Sequence, residues 1–290
     1  MKRLTPLPID DAVILRGLSR DATLATHPTL ARDLTHYLAC YTNYQNANGN
    51  PNVVSAMQRA VGLRAALIGL YSNPSPALKP HFDATRTKLS PDVCSMCGGF
   101  NPDTLDHFFP KDDYPEYTVF SKNLVPACRC NRNGRPLYNP ATGDRALHPF
   151  FDDCLKHRLV RVSITGPDFR APTIALQLCC GRRAERASIK FHMENVIQSK
   201  RVSTHLRNRW RRMRTKPWSV IQTLPRNFAG TAAALSPYIK DALDRTDNEF
   251  ETPNNWRSML LAGILARRAV LQWLATDISN LSRGLRNPED

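Results

Sequence analysis

The sequence predicts an α+β protein that is mostly helical, and three observations carry this. Apolar residues recur with helical spacing through the first ninety residues and again beyond residue 188. Between them, residues 91–155 hold cysteines, turn formers, aromatics and short β-like runs. Directly after, Val160, Val162 and Ile164 alternate on one side of "TGPDF" and Ile174, Leu176 and Leu178 on the other, which predicts a short β-hairpin. The chain therefore divides into a helical region 1–90, a central region 91–155, and a hairpin plus basic helical region 156–290.

In the first region, "TLARDLTHYLACYTNY" repeats with helical period, and His36 and Cys40 read as packing residues there. In "NVVSAMQRAVGLRAALIGLYSNPSP", Val53, Met57, Val61, Leu67, Ile68 and Tyr71 follow one face, Asn52 reads as the cap and "NPSP" as the stop. In the last region, Cys179 and Cys180 close the second hairpin strand. Residues 188–214 read as a helix with Ile189, Met193, Val196, Leu206, Trp210 and Met213 inward, and 255–279 as another with Trp256, Leu260, Ile264, Leu271, Leu274 and Ile278 inward.

At 290 residues the chain is long enough for a substantial core. The start lacks the apolar run of a signal peptide, and no stretch of about 20 apolar residues occurs. The expectation is a soluble cytoplasmic protein with no membrane partner, whose eight cysteines are metal ligands or buried groups rather than disulfides. A formal net charge of +15 favours a polyanionic partner.

The chemistry concentrates in "CSMCGGFNPDTLDHFFPKDDYPEYTVFSKNLVPACRCNRNG". Cys94 and Cys97 have the knuckle spacing that lets two thiolates share one zinc, and Cys128 and Cys130 supply a second pair some thirty residues on. One residue, Arg129, separates that second pair where two are usual. Asp106 and His107 lie in "TLDHFFP", which reads as a short strand. At a strand end the carboxylate can hold a hard cation while the imidazole takes a proton from water.

"LDHFFPK" and "NLVPAC…CN" resemble the signature of the HNH endonuclease family over about residues 91–152. The resemblance implies a ββα-metal core, with His107 as general base and Asp106 as a metal ligand. It further implies that Asn123 orients His107 or its loop, and that Asn131 is the second metal ligand, from the helix. A four-cysteine zinc would anchor that helix, and Mg²⁺ or Mn²⁺ would serve as the catalytic ion, because an Asp-Asn site offers only oxygen. Lys111 and Arg132 are candidate phosphate contacts, Arg132 or Arg135 standing in for the basic residue that members often carry where Gly134 stands here. His148, in "ALHPFFDD", reads either as a group near the metal or as a loop histidine packed on Phe150 and Phe151.

From Arg182 to Lys216, twelve Lys/Arg against Glu185 and Glu194 carry +10 of the net charge. The apolar stripe leaves Lys200, Arg207, Arg211 and Arg214 on one outward face, a candidate DNA-backbone contact. The expected function is a metal-dependent DNA endonuclease, of the kind used in restriction or phage defence. Two alternatives stand beside it: a nuclease subunit controlled by a partner such as an ATPase, and a non-catalytic zinc-stabilised nucleic-acid-binding protein. A regulatory protein or a second copy of the chain is the further partner expected.

Overall fold

A computed structural model describes residues 1–90, 92–128, 136–179 and 185–287. It is mostly helical, with two small antiparallel sheets, as the periodicities predict. The chain divides into two compact units, Arg3–Asp153 and Met1–Lys2 with Cys154–Asp290.

In the unit Arg3–Asp153, five helices precede a two-stranded sheet: α1 (Asp11–Arg20), α2 (Thr29–Arg32), α3 (Leu34–Asn46), α4 (Arg64–Ser72) and α5 (Lys79–Lys88). The Asp10 carboxylate caps α1 by accepting from the Val13 N–H at 2.9 Å. Helix α3 buries Tyr37, Tyr41 and Tyr44, spaced by one helical turn each, so three rings enter the core from one face. They meet Phe109, Tyr117 and Phe120, with Tyr41 stacked on Phe120 at 4.1 Å and Tyr44 edge-on to Phe109 at 4.9 Å. Strands β1 (Thr104–His107) and β2 (Leu124–Ala127) pair antiparallel, Asp106 opposite Val125 and His107 opposite Leu124. Helix α5 packs against both strands.

This unit departs from its sequence pattern at two points. The helix expected from Asn52 begins at Arg64, after a 3₁₀ segment Gln58–Leu63. The Asn50 carbonyl takes the N–H groups of Val53 and Val54, Asn52 Nδ2 donates to the Gly143 carbonyl at 2.8 Å, and Met57 N–H goes to Glu116. Those partners satisfy the backbone that a longer helix would have used. His36 is exposed rather than packed, whereas Cys40 is half-buried with its Sγ 3.7 Å from Met57 Sδ.

In the other unit, β3 (Val160–Thr165) and β4 (Thr173–Leu178) form the expected hairpin, with Val162 opposite Leu176. Five helices follow: α6 (Arg186–His192), α7 (Lys200–Thr215), α8 (Ala232–Glu249), α9 (Trp256–Leu265) and α10 (Arg268–Ser282). The β3 face is buried under α9. Gly263 permits this close approach, since a Cβ there would collide with the Val162 carbonyl. Two expected single helices are each broken. Residues 188–214 split where a π-helical turn, Met193–Ile197, ends at extended Gln198 and Ser199 Oγ caps α7. Residues 255–279 split at Arg267, where α9 and α10 diverge by 98°. Arg267 donates to the Ile164 carbonyl and lies over the Phe169 ring, so the bend gives a cation in an apolar run its partners. Among the described residues no single helix is long and apolar enough to cross a membrane.

Candidate functional site

Three of the four predicted zinc ligands converge. Cys94, Cys97 and Cys128 are buried with their sulfur atoms within 4.8 Å of one another. Cys97 and Cys128 Sγ lie 3.5 Å apart, near the spacing of about 3.8 Å that tetrahedral Zn–S bonds of about 2.3 Å impose. Backbone amides point at these sulfurs: Cys94 Sγ accepts from the N–H groups of Cys97 at 3.5 Å and Cys128 at 3.3 Å, and Cys97 Sγ from Gly99 N–H at 3.3 Å. Such donors favour thiolates over thiols. Gly98, at φ +77°, makes the turn that aims them. The donor set fits a structural zinc. Cys130, Asn131 and Arg132 lie outside the described residues, as does the segment 129–135 where the helix of the ββα core is expected to start.

The cluster is fastened to the sheet. Ser95 Oγ donates to the Pro126 carbonyl at 2.9 Å, and Cys128 directly follows β2. On the facing strand, alternation sends Leu105 and His107 inward and leaves Thr104 and Asp106 half-buried on the other face. At the strand end Asp106 Oδ1 accepts the His107 N–H at 2.8 Å. The His107 imidazole is buried at 6% exposure, 4.4 Å from the Tyr71 ring. Its Nε2 donates to the Thr118 carbonyl at 2.8 Å, which leaves Nδ1 as the basic nitrogen. Burial pushes the imidazole down to about 4, so it is neutral at pH 7.

Asn123 is wholly buried and spends its amide on the loop that carries this carbonyl and on Tyr44 of α3. Nδ2 donates to the carbonyls of Phe109 and Tyr117, both at 3.1 Å, while Oδ1 accepts from Phe109 N–H at 2.7 Å and Tyr44 Oη at 3.2 Å. Asn123 therefore fixes Tyr117, the residue next to Thr118. Tyr44 Oη also lies 2.9 Å from His148 Nε2. His148 Nδ1 accepts Phe150 N–H at 3.1 Å, so Nε2 carries the proton toward Tyr44. His148 is buried, packs on Phe108 at 4.1 Å and on Phe151 at 4.7 Å, and is held neutral by burial and by the charges of Arg145 and Arg3. Lys111 is half-buried, with Nζ 4.0 Å from Asp112.

Comparison with known proteins finds likeness over part of the chain. It is 36% identical over 66 residues to "Protein ea31" of Escherichia phage lambda, covering 22% of each chain. It is 32% identical over 92 residues to "Septu protein PtuB" of Bacillus thuringiensis, covering 27% of this chain and 36% of that one. The chain thus spans well under half the length of either relative it matches. No family model matches, and no solved structure matches.

On α7, Lys200, Arg207 and Arg211 are exposed, while Val202, Leu206, Trp210 and Met213 are buried. Arg214 departs from the outward face assigned to it. It is 6% exposed, lies over the Trp273 ring, and its Nε is 3.4 Å from an Asp277 carboxylate that also binds Arg286 at 2.8 Å. The roles of Thr118 and Tyr44 were not legible in the sequence. The first acts through a main-chain carbonyl, and the second lies outside the HNH-like stretch.

Proposed function

We propose that the protein is a metal-dependent endonuclease of the HNH type that hydrolyses phosphodiester bonds in DNA. The observation that carries this reading is the Asp106-His107 pair at the end of β1, with a neutral imidazole oriented by the Thr118 carbonyl. A binding module has no use for such a pair. His107 Nδ1 takes the proton of the attacking water while the Thr118 carbonyl holds the opposite ring nitrogen and stabilises the imidazolium that forms. Asp106 and Asn131 are the residues that would hold a hard divalent cation, Mg²⁺ or Mn²⁺, which when bound supplies charge stabilisation for the phosphate and the departing 3′ oxygen. Asn123 keeps the loop rigid, and Lys111 and Arg132 contact phosphate. Cys94, Cys97 and Cys128, with Cys130, hold the structural zinc, and the exposed α7 cations lie along the DNA backbone.

A role in phage defence or restriction belongs to the same proposal, with the partial likeness to the Septu protein as its support. The 6% exposure of His107 favours an effector whose site opens on binding DNA or a partner protein such as an ATPase. The test is plasmid cleavage with Mg²⁺ or Mn²⁺, by the purified chain alone and in the presence of cell lysate. His107→Ala is expected to lose at least about 10²-fold in rate while keeping its fold. Near-normal cleavage by this variant would refute the assignment.

A further inference from the structure

A second cationic site lies within the unit that contains α7. The last turns of α7, the loop after it, α8 and α9 enclose a pocket of about 240 Å³. Buried Leu260 and Leu261 line its apolar part, and Arg209 and Arg257 its polar part. Among the acidic residues of the pocket, Asp241 is already engaged, binding Arg245 at 2.9 Å and Thr223 Oγ1 at 3.0 Å. Glu249, which offsets the charge of Arg209, is exposed at the rim.

Arg209 is the anomaly. It is half-buried, and its Nε is buried with no hydrogen-bond partner among the described residues. Burial, with the charges of Arg257 and Arg212 beside it, pushes the guanidinium down to about 10, so it remains charged at neutral pH in an unfavourable setting. Two guanidinium groups sharing one concave site are stabilised by an anion between them, and their planar forks match the oxygens of a phosphoryl group. The position also argues for a discrete ligand. Arg209 lies about 180° around α7 from Lys200, Arg207 and Arg211 by helical geometry, so a duplex lying on that exposed face does not reach it.

We propose that this pocket binds the phosphoryl group of a small molecule, inorganic phosphate or a phosphate monoester, through Arg209 and Arg257. Among the described residues no aromatic ring lines it, so recognition centres on the phosphate rather than on a stacked base. The proposal is independent of the nuclease reading, because it concerns binding alone and none of the residues around His107.

The experiment is calorimetric titration of the full chain at fixed ionic strength with inorganic phosphate, a nucleoside 5′-monophosphate and a short DNA duplex, in separate arms. Saturable one-to-one binding of phosphate or the monophosphate is expected, at least ten-fold weaker in Arg209→Gln and several-fold tighter in Glu249→Gln. Changing Lys200, Arg207 and Arg211 to Ala is expected to leave it unaltered. The phosphate arm and the monophosphate arm, compared, separate a free anion from an ester as the preferred ligand. Absence of saturable binding in both small-molecule arms overturns the proposal, as does displacement of bound phosphate by the duplex. If Arg209→Gln does not fold, the exposed Glu249→Gln decides, and unchanged affinity there overturns it.

Discussion

His107 Nε2 lies 2.8 Å from the carbonyl oxygen of Thr118, and this one bond sets which nitrogen of the ring carries the proton. A carbonyl only accepts, so Nε2 carries a proton; burial, which lowers the imidazole to about 4, keeps it neutral at pH 7 with its lone pair on Nδ1. The residue before Thr118 is held by Asn123, and Asn123 by Tyr44 on α3. The orientation of the imidazole therefore depends on a helix far from it in sequence.

The stability of the protein is expected to fall as pH drops from about 6.5 toward 4. His107 and His205 are each lowered to about 4, and buried His148 well below its usual 6.5. In that window the unfolded chain binds protons that the native state refuses, so the stability present above 6.5 is lost on acidification. Glu116, raised by burial to about 7, works in the opposite direction, as do Asp11 and Asp247, both raised by burial, toward the acid end, so the histidine contribution is read from the His148 variant. Denaturant midpoints between pH 5 and 7 should show this, with His148→Gln flattening the slope by up to about 1.4 kcal/mol per pH unit. Parallel slopes in the two proteins would exclude a neutral buried His148.

Zinc content and stability are expected to fall together in Cys97→Ser, because structural zinc contributes directly to folding free energy. Elemental analysis of protein purified without chelator should give one zinc per chain. Cys130→Ser tests the fourth ligand: retention of full zinc would assign that position to another group. Absence of zinc in the wild type would remove the site altogether.

Asn123→Ala is expected to cost about 2–4 kcal/mol, since it strands two carbonyls and an N–H in the core and leaves the Tyr44 hydroxyl with His148 alone of its two partners. Asn123→Asp should cost at least as much despite its shape, because a carboxylate cannot donate to the Phe109 and Tyr117 carbonyls. Urea unfolding measures both. A shift under about 0.5 kcal/mol for either would contradict the hydrogen bonding described.

The cations of α7 should separate into two kinds. Replacing Lys200, Arg207 and Arg211 by Ala is expected to reduce the salt slope of DNA binding by about 0.9 for each phosphate no longer neutralised, uniformly across sequences. Arg214→Ala should instead lower stability, by less than the about 3–5 kcal/mol of a broken buried pair, because Arg286 still neutralises Asp277. Identical salt slopes for wild type and triple variant would assign the face to solvent or to a protein partner.

The sequence alone determined the class of the fold, the β3–β4 hairpin and the short strand carrying Asp106 and His107, and it named four thiols, of which Cys94, Cys97 and Cys128 converge. These are legible because each follows from local spacing: period 3.6, period 2, or the reach of two thiols across one turn. Tertiary structure decided the rest. It started α4 at Arg64 by giving the backbone N–H of Met57 to Glu116, and it bent the last helix at Arg267 to bring that guanidinium to the Ile164 carbonyl and the Phe169 ring. It turned Arg214 inward to Asp277 and chose the tautomer of His107 through a main-chain oxygen. Periodicity reports which face of an element is apolar, but not where a buried polar group finds its partner. That partner lies beyond the reach of local spacing, eleven residues away for His107 and 103 for Arg267, so it is fixed only when the elements pack.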